Sequence, residues 1–354
     1  MKKILVGVCG IGNGHMNRQI MVIKHLLQAG HHVVVATTKN NINYLKGKIN
    51  NISVVPVIIP WITCNTKGID FSDTLNKYDN NNIDLFKSFL NFSIRIEKEF
   101  NGVPNLVITD YEPNVAQYSY AVDIPLICME QQSKFLFLEK QNINNFSIME
   151  EKKRINYFFP KYYCKIISSF FPIDINDKHV RIVNPIISEL KCSYTDENRA
   201  LVYFSPYGFS DKYEIILKAI SEIKDVKFDV YTKFEFKDYK TCSNIFFKKF
   251  NDSFKRDLEK SKFVISTCGH QLISEALSLE KPLYLFPLQT YEQNYNGLMV
   301  ENYKLGKLAN NFTKNEITDF YSKLDYYCQN IIKYKNNYYK NSWKIELDRI
   351  INSI

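Results

Sequence analysis

Glycine is scarce in this 354-residue chain, with 12 in all, and tryptophan is scarcer, with 2. Where glycines do gather, at Gly10, Gly12 and Gly14, a backbone requirement is the first explanation to try. No apolar run reaches the roughly 20 residues that a membrane-spanning helix needs. The longest, Val54–Ile62, is broken by Pro56 and Pro60. The eight cysteines form no C-x-x-C pair and no His/Cys group at zinc-ligand spacing, which excludes a zinc finger. Free thiols in a reducing cytoplasm are the reading. Lys2 and Lys3 before an apolar run imitate a signal peptide, but no small-residue cleavage site follows, so the start reads as a strand. No Asp-x-Asp element follows a strand, and no metal site is expected. The net charge of +9 comes without a basic-aromatic cluster or a helix-turn-helix pattern. Spread along the chain, it reads as a solvated surface that permits anionic partners without choosing one.

Hydrophobic residues at 45% are enough for sizeable cores, and the length suggests two domains. Ile4–Cys9 is a short apolar run, the pattern of a strand buried on both faces of a parallel sheet. Met16, Ile20, Ile23 and Leu27 follow at helical spacing, and Gly30 is placed to end that helix. Strands are predicted at His32–Thr37, Val54–Ile59, Leu106–Thr109 and Pro125–Cys128, with a helix over Ile83–Phe100. A second alternation starts near Ala200. Its strands are Ala200–Phe204, Val226–Tyr231, Asn244–Phe246, Phe263–Ser266 and Pro282–Phe286, and its helices Glu214–Ile223 and Leu272–Leu279. From Thr313 to Ile354 the chain looks helical throughout. This alternation predicts an α/β fold of two similar halves facing across a cleft.

Three motifs carry chemistry. Gly10-Ile11-Gly12-Asn13-Gly14-His15-Met16-Asn17-Arg18 joins the first strand to a helix, where glycines admit close backbone approach and the helix N-terminus favours an anion. A dinucleotide site is not indicated, because the third fingerprint glycine is missing and no acid follows the second strand. His15 sits on this loop at the C-terminal edge of the sheet, where ligands of α/β folds bind. Asp110 and Glu112 in Thr109-Asp110-Tyr111-Glu112-Pro113 follow a buried strand and share that edge. A carboxylate beside a histidine fixes its tautomer and raises its basicity, the logic of a general-base pair. The plainer alternative is that Asp110 caps the following helix. The third motif is Ser266-Thr267-Cys268-Gly269-His270-Gln271-Leu272-Ile273-Ser274-Glu275-Ala276-Leu277, then Lys281-Pro282 and Tyr291-Glu292-Gln293-Asn294. A glycine turn into a helix presents N–H groups suited to a diphosphate. Glu275 can accept from ribose hydroxyls, and Glu292 and Gln293 can grip those of a sugar.

Together these elements resemble the GT-B glycosyltransferases that use nucleotide sugars, in the family 28/family 1-like group, from residue 1 to about 310. Residues 60–100 and 134–180 match that pattern poorly. The resemblance implies two Rossmann-like domains: an acceptor-side domain 1–185, a donor-binding domain 186–330, and a C-terminal helix 331–354 returning to the first. It implies that Glu275 binds the donor ribose, that Gly269, His270 and Ser274 hold the diphosphate together with Gly12 and Gly14, and that Glu292 and Gln293 meet the donor sugar. It also implies that His15 acts as base or phosphate contact with Asp110 beside it. Thr267 stands where many relatives carry a histidine, which leaves His270 as a substitute.

The expected activity is transfer of a sugar, from a UDP-sugar, to an acceptor hydroxyl, inverting and without metal or other cofactor. Helix dipole and N–H groups would then stabilise the leaving diphosphate. The expected location is cytoplasmic, at most peripheral to the inner membrane face. Two rivals remain at this point: a non-hydrolysing sugar-nucleotide epimerase, and a DNA-modifying or nucleic-acid-binding protein.

Overall fold

The computed structural model describes residues 1–10, 13–57, 63–65, 68–70, 84–138, 143, 147–191, 198–205, 211–250, 253–309 and 311–354. The chain opens with β1 (Lys3–Val8), α1 (Asn13–Gln28), β2 (His32–Thr37), α2 (Lys39–Lys48) and β3 (Ser53–Pro56). A small antiparallel pair, β4 (Thr63–Asn65) and β5 (Gly68–Asp70), precedes α3 (Leu85–Phe100). Next come β6 (Leu106–Asp110), α4 (Pro113–Ala121), β7 (Leu126–Glu130), a 3₁₀ turn over Gln132–Leu136, α5 (Ile148–Phe158), β8 (Cys164–Ser168) and β9 (Val180–Val183). These strands form a seven-stranded parallel sheet in the order β3-β2-β1-β6-β7-β8-β9.

The second half contains β10 (Arg199–Tyr203), α6 (Lys212–Ser221), β11 (Lys227–Tyr231), β12 (Ile245–Lys248), α7 (Ser253–Lys260), β13 (Phe263–Thr267) and α8 (His270–Ser278). It continues with β14 (Leu283–Phe286), α9 (Tyr291–Asn302) and β15 (Gly306–Leu308). Its sheet has six parallel strands, β12-β11-β10-β13-β14-β15. The tail is helical as expected, in three helices: α10 (Lys314–Ser322), α11 (Leu324–Tyr338) and α12 (Trp343–Ser353).

Strand order reverses beside β1 in one sheet and beside β10 in the other, and a crevice opens at such switch points. β1 is buried on both faces, which explains its unbroken apolar run. Gly7 within it is required by packing. A Cβ there would stand 2.3 Å from Val115 Cγ2, so only glycine lets α4 lie against β1. On α1 the buried stripe runs Met16, Ile20, Ile23 and Leu26, while Leu27 is exposed, one position from the expected stripe. Gly30 ends the turn after α1 with φ +79°, as its placement predicts.

α12 returns to the first half. Trp343, Leu347, Ile350 and Ile351 are buried with Ile4, Val6, Ile23 and Ile166 of that half. His25 Nε2 lies 2.8 Å from Asp348 Oδ1, tying α1 to α12. α11 instead seats Ile331 and Tyr334 mostly among residues of the second half, while Tyr334 donates to the Phe170 carbonyl of the first half at 2.8 Å.

Candidate active site

Parallel pairing sets the first group of site residues. Val8 is opposite Asp110 in the β1–β6 register, so the carboxylate stands at the sheet's C-terminal edge beside the start of α1. His15 Nδ1 lies 2.7 Å from Asp110 Oδ1. A carboxylate only accepts, so the imidazole hydrogen lies on Nδ1 and the lone pair on Nε2. Arg18, one turn further on the same face of α1, donates from Nε to Asp110 Oδ2 and from Nη2 to Oδ1, both at 2.8 Å. Gln19 Nε2 adds a third donor to Oδ2 at 2.9 Å. Asp110 is completely buried. Burial alone would raise its pKa, but Arg18 and His15 outweigh that and hold it at about 2. The carboxylate is therefore ionised throughout the physiological range.

Glu112, not Asp110, caps α4. Its two carboxyl oxygens accept from Asn114 N at 3.1 Å and Val115 N at 2.8 Å. Burial pushes the Glu112 carboxyl up to about 7, against the opposing pull of those hydrogen bonds. The two acids of the Asp-Tyr-Glu-Pro segment have thus separated into an orienting carboxylate and a helix cap. Between them Tyr111 adopts φ +54° and stacks its ring 6.3 Å from His15.

The second group gathers at the N-terminus of α8. Gly269 is its N-cap, and a Cβ there would meet nothing within 4 Å, so no crowding within the protein demands this glycine. His270, in the first turn, is buried, and neither ring nitrogen has a hydrogen-bond partner among the described residues. Burial, together with the positive charges of Lys134 and Arg18, lowers its pKa well below the ordinary histidine value. The ring is therefore neutral and has one donor and one acceptor nitrogen to offer. Ser274, expected at the same turn, sends its hydroxyl back along the helix to the His270 carbonyl at 2.8 Å. Glu275 receives Gln271 Nε2 at 2.9 Å, and burial raises its carboxyl to about 7.

α1 and α8 meet N-terminus to N-terminus. A Cβ on Gly14 would stand 3.4 Å from Gln271 Cβ, so the His15 loop of one half adjoins the glycine turn of the other. Gly12 lies outside the described residues. Glu292, in the first turn of α9, accepts from Gln131 Nε2 at 2.6 Å. Gln293 has its side-chain oxygen engaged by two backbone N–H groups, Cys268 at 3.1 Å and Leu288 at 3.0 Å. It pins the α8 turn to the loop after β14 and to that extent serves the protein's own architecture.

Residues 2–325 match the family described as Glycosyl transferase family 1. The chain belongs to glycosyl transferase family 1. Solved structures agree on the fold. UDP-glucose: anthocyanidin 3-O-glucosyltransferase in complex with UDP superposes with TM-score 0.74 at 12% identity, covering 100% of both chains. Arabidopsis thaliana UGT89C1 complexed with UDP-L-rhamnose gives 0.72 at 13% identity, over 99% of this chain and 98% of that one. The calicheamicin glycosyltransferase CalG4 gives 0.68 at 14%, over 99% and 98%. No curated protein sequence matches. The fold is the expected GT-B arrangement, two Rossmann-like sheets with the last helix returning to the first half. The enzyme is a glycosyltransferase, and neither the epimerase nor the nucleic-acid reading gains support from these matches.

Among the described residues of this glycosyltransferase, no group of three His, Cys, Asp or Glu side chains is placed to hold a metal ion. No described helix is long and apolar enough to cross a membrane. Arg18 has no role in the sequence motif that contains it, and Gln131, Gln132 and Lys134 lie in none of the three motifs. These follow β7 at the same sheet edge as Asp110, and that position was the available signal. Gln132 Nε2 lies 3.4 Å from His15 Nε2, against the nitrogen that Asp110 leaves available.

Proposed function

We propose that this glycosyltransferase moves a sugar from a UDP-sugar to an acceptor hydroxyl, with inversion and without a metal ion. The observation that carries the reading is the His15–Asp110 pair at 2.7 Å, set at the seam beside the N-terminus of α8. The acceptor hydroxyl gives its proton to His15 Nε2 as its oxygen attacks the anomeric carbon. The bond from that carbon to the diphosphate oxygen breaks in the same step, and UDP takes the electron pair. The imidazolium that forms is stabilised by ionised Asp110. The first N–H groups of α8 and a neutral His270 nitrogen stand ready for the developing charge on the diphosphate. Glu275 takes the ribose hydroxyls and Glu292 the donor sugar, with Gly14, Gly269, Ser274 and Gln293 shaping the pocket.

UDP is favoured because two proteins of similar fold were solved with UDP or UDP-L-rhamnose bound. We take residues 1–185 as the acceptor side, 186–330 as the donor side and 331–354 as the C-terminal segment, of which α12 is the part that returns, in a cytoplasmic enzyme. The experiment is a screen of UDP-, GDP-, TDP- and CMP-sugars by thermal shift and by nucleotide release, with EDTA present. A UDP-sugar should raise the melting temperature by mass action, and UDP should appear only when an acceptor is added. Conversion of the donor alone into its epimer would overturn the transfer reading. Turnover that chelation abolishes and magnesium restores would overturn the metal-free one.

A further inference from the structure

The turn after β7 reaches across the seam. Gln131 Nε2 donates to Glu292 Oε1 at 2.6 Å. Lys134 Nζ donates to the side-chain oxygen of Gln131, and to Asn296 Oδ1 at 3.4 Å. Asn296 Nδ2 in turn donates to the Cys268 carbonyl at 3.0 Å, in the turn that begins α8. Gln131, Lys134 and Asn296 are all buried, Lys134 completely. Holding an ammonium away from water carries a penalty of several kcal/mol unless it is paired. Burial accordingly lowers the Lys134 pKa to about 7, although Glu292 and Glu130 pull it up.

Apolar packing already joins the halves here, with Phe135 and Tyr291 ring to ring at 5.4 Å. Adhesion alone therefore does not explain a buried lysine. The amide does something packing cannot. It fixes one oxygen of Glu292, and Lys134 fixes the orientation of that amide by taking its oxygen.

We infer that Gln131, held by Lys134, is a positioning residue of the first half that aims the Glu292 carboxylate at the donor sugar. Sugar recognition then requires both halves closed on each other, whereas binding of the nucleotide, held by the second half, does not. The inference rests on the reading of Glu292 as the donor-sugar carboxylate. Gln131 itself makes no contact with the donor in this account.

The test compares Gln131→Met, Glu292→Ala and the double variant for KM toward the sugar nucleotide and Kd for UDP alone. Gln131→Met should raise KM roughly tenfold, the worth of one hydrogen bond to a charged group, and leave the UDP Kd within twofold. The double variant should be no worse than Glu292→Ala, because the amide acts only through that carboxylate. A merely structural role would shift both constants together. An unchanged KM in Gln131→Met, with Glu292→Ala impaired, would overturn the inference alone. An unchanged KM in Glu292→Ala would overturn the sugar-site reading beneath it. If Gln131→Met does not bind UDP, Lys134→Met carries the same comparison, since it frees the same amide.

Discussion

Arg18 meets Asp110 through two parallel N–H donors at 2.8 Å each, in a place where neither side chain reaches solvent to any extent. The pair does two things at once: it stabilises the ionised carboxylate, and it leaves one edge of that carboxylate for His15. In the proposed mechanism chemistry and stability are therefore coupled at Asp110.

His15→Ala should lower turnover by about 10²- to 10⁴-fold, the usual worth of a general base. UDP affinity, measured by calorimetry, should stay within a few-fold if the nucleotide is held by the other half as proposed. Near-normal turnover would remove His15 from the chemistry. A parallel fall in UDP affinity would make it a diphosphate contact instead.

Asp110→Asn should cost about 3–5 kcal/mol in chemical denaturation, because it strands the buried Arg18 guanidinium. It should also lower turnover. The wild-type contribution has a defined pH window. The folded carboxyl sits at about 2, below its ordinary 3.8, so its stabilisation is fully present above about pH 4. It is lost as pH falls from there through 2. A variant as stable as wild type at pH 7 would contradict the role given to the pair.

UDP binding should strengthen as pH rises through about 7, where the Glu275 carboxyl ionises and becomes a better acceptor for ribose hydroxyls. Ionisation of the UDP phosphate adds its own pH dependence, so the informative quantity is the difference from Glu275→Gln. That variant should bind about 1–3 kcal/mol more weakly at pH 8 and show a smaller dependence. Identical profiles would sink the ribose assignment.

Glu112→Ala should cost about 0.5–2 kcal/mol through loss of the α4 cap. Turnover per folded molecule should be nearly unchanged, since both carboxyl oxygens are spent on N–H groups of α4. A large loss of turnover at intact stability would move Glu112 into the chemistry.

The apolar runs of β1, β2, β6 and β7 are legible in sequence because strands buried on both faces leave no alternation to decode. β8 was hidden by Lys165, which sits in mid-strand. Its ammonium finds Ser133 Oγ at 3.0 Å and the Tyr162 ring at 4.3 Å, partners that lie 32 and 3 residues away along the chain. The break between α10 and α11 at Lys323 carries no glycine or proline, so the sequence marks the tail as helical without marking where its helices divide. At the site, the glycine loop and the acidic segment announced His15 and Asp110. That Glu112 rather than Asp110 caps α4 depends on the chain's course after β6, which spacing alone does not set. The Gln131–Glu292 contact joins residues 161 positions apart, and nothing local encodes it.

The return of α12 has a consequence for synthesis. Trp343, Leu347, Ile350 and Ile351 fill one side of the first sheet's core, yet they are made after every strand of the second sheet. The N-terminal half therefore waits, one face of its sheet uncovered, until the second half has emerged. Domains usually fold in the order they are made. Here the half that is made first is finished last, and a nascent chain stalled before Trp343 would expose Ile4, Val6 and Ile166 to whatever chaperone attends it.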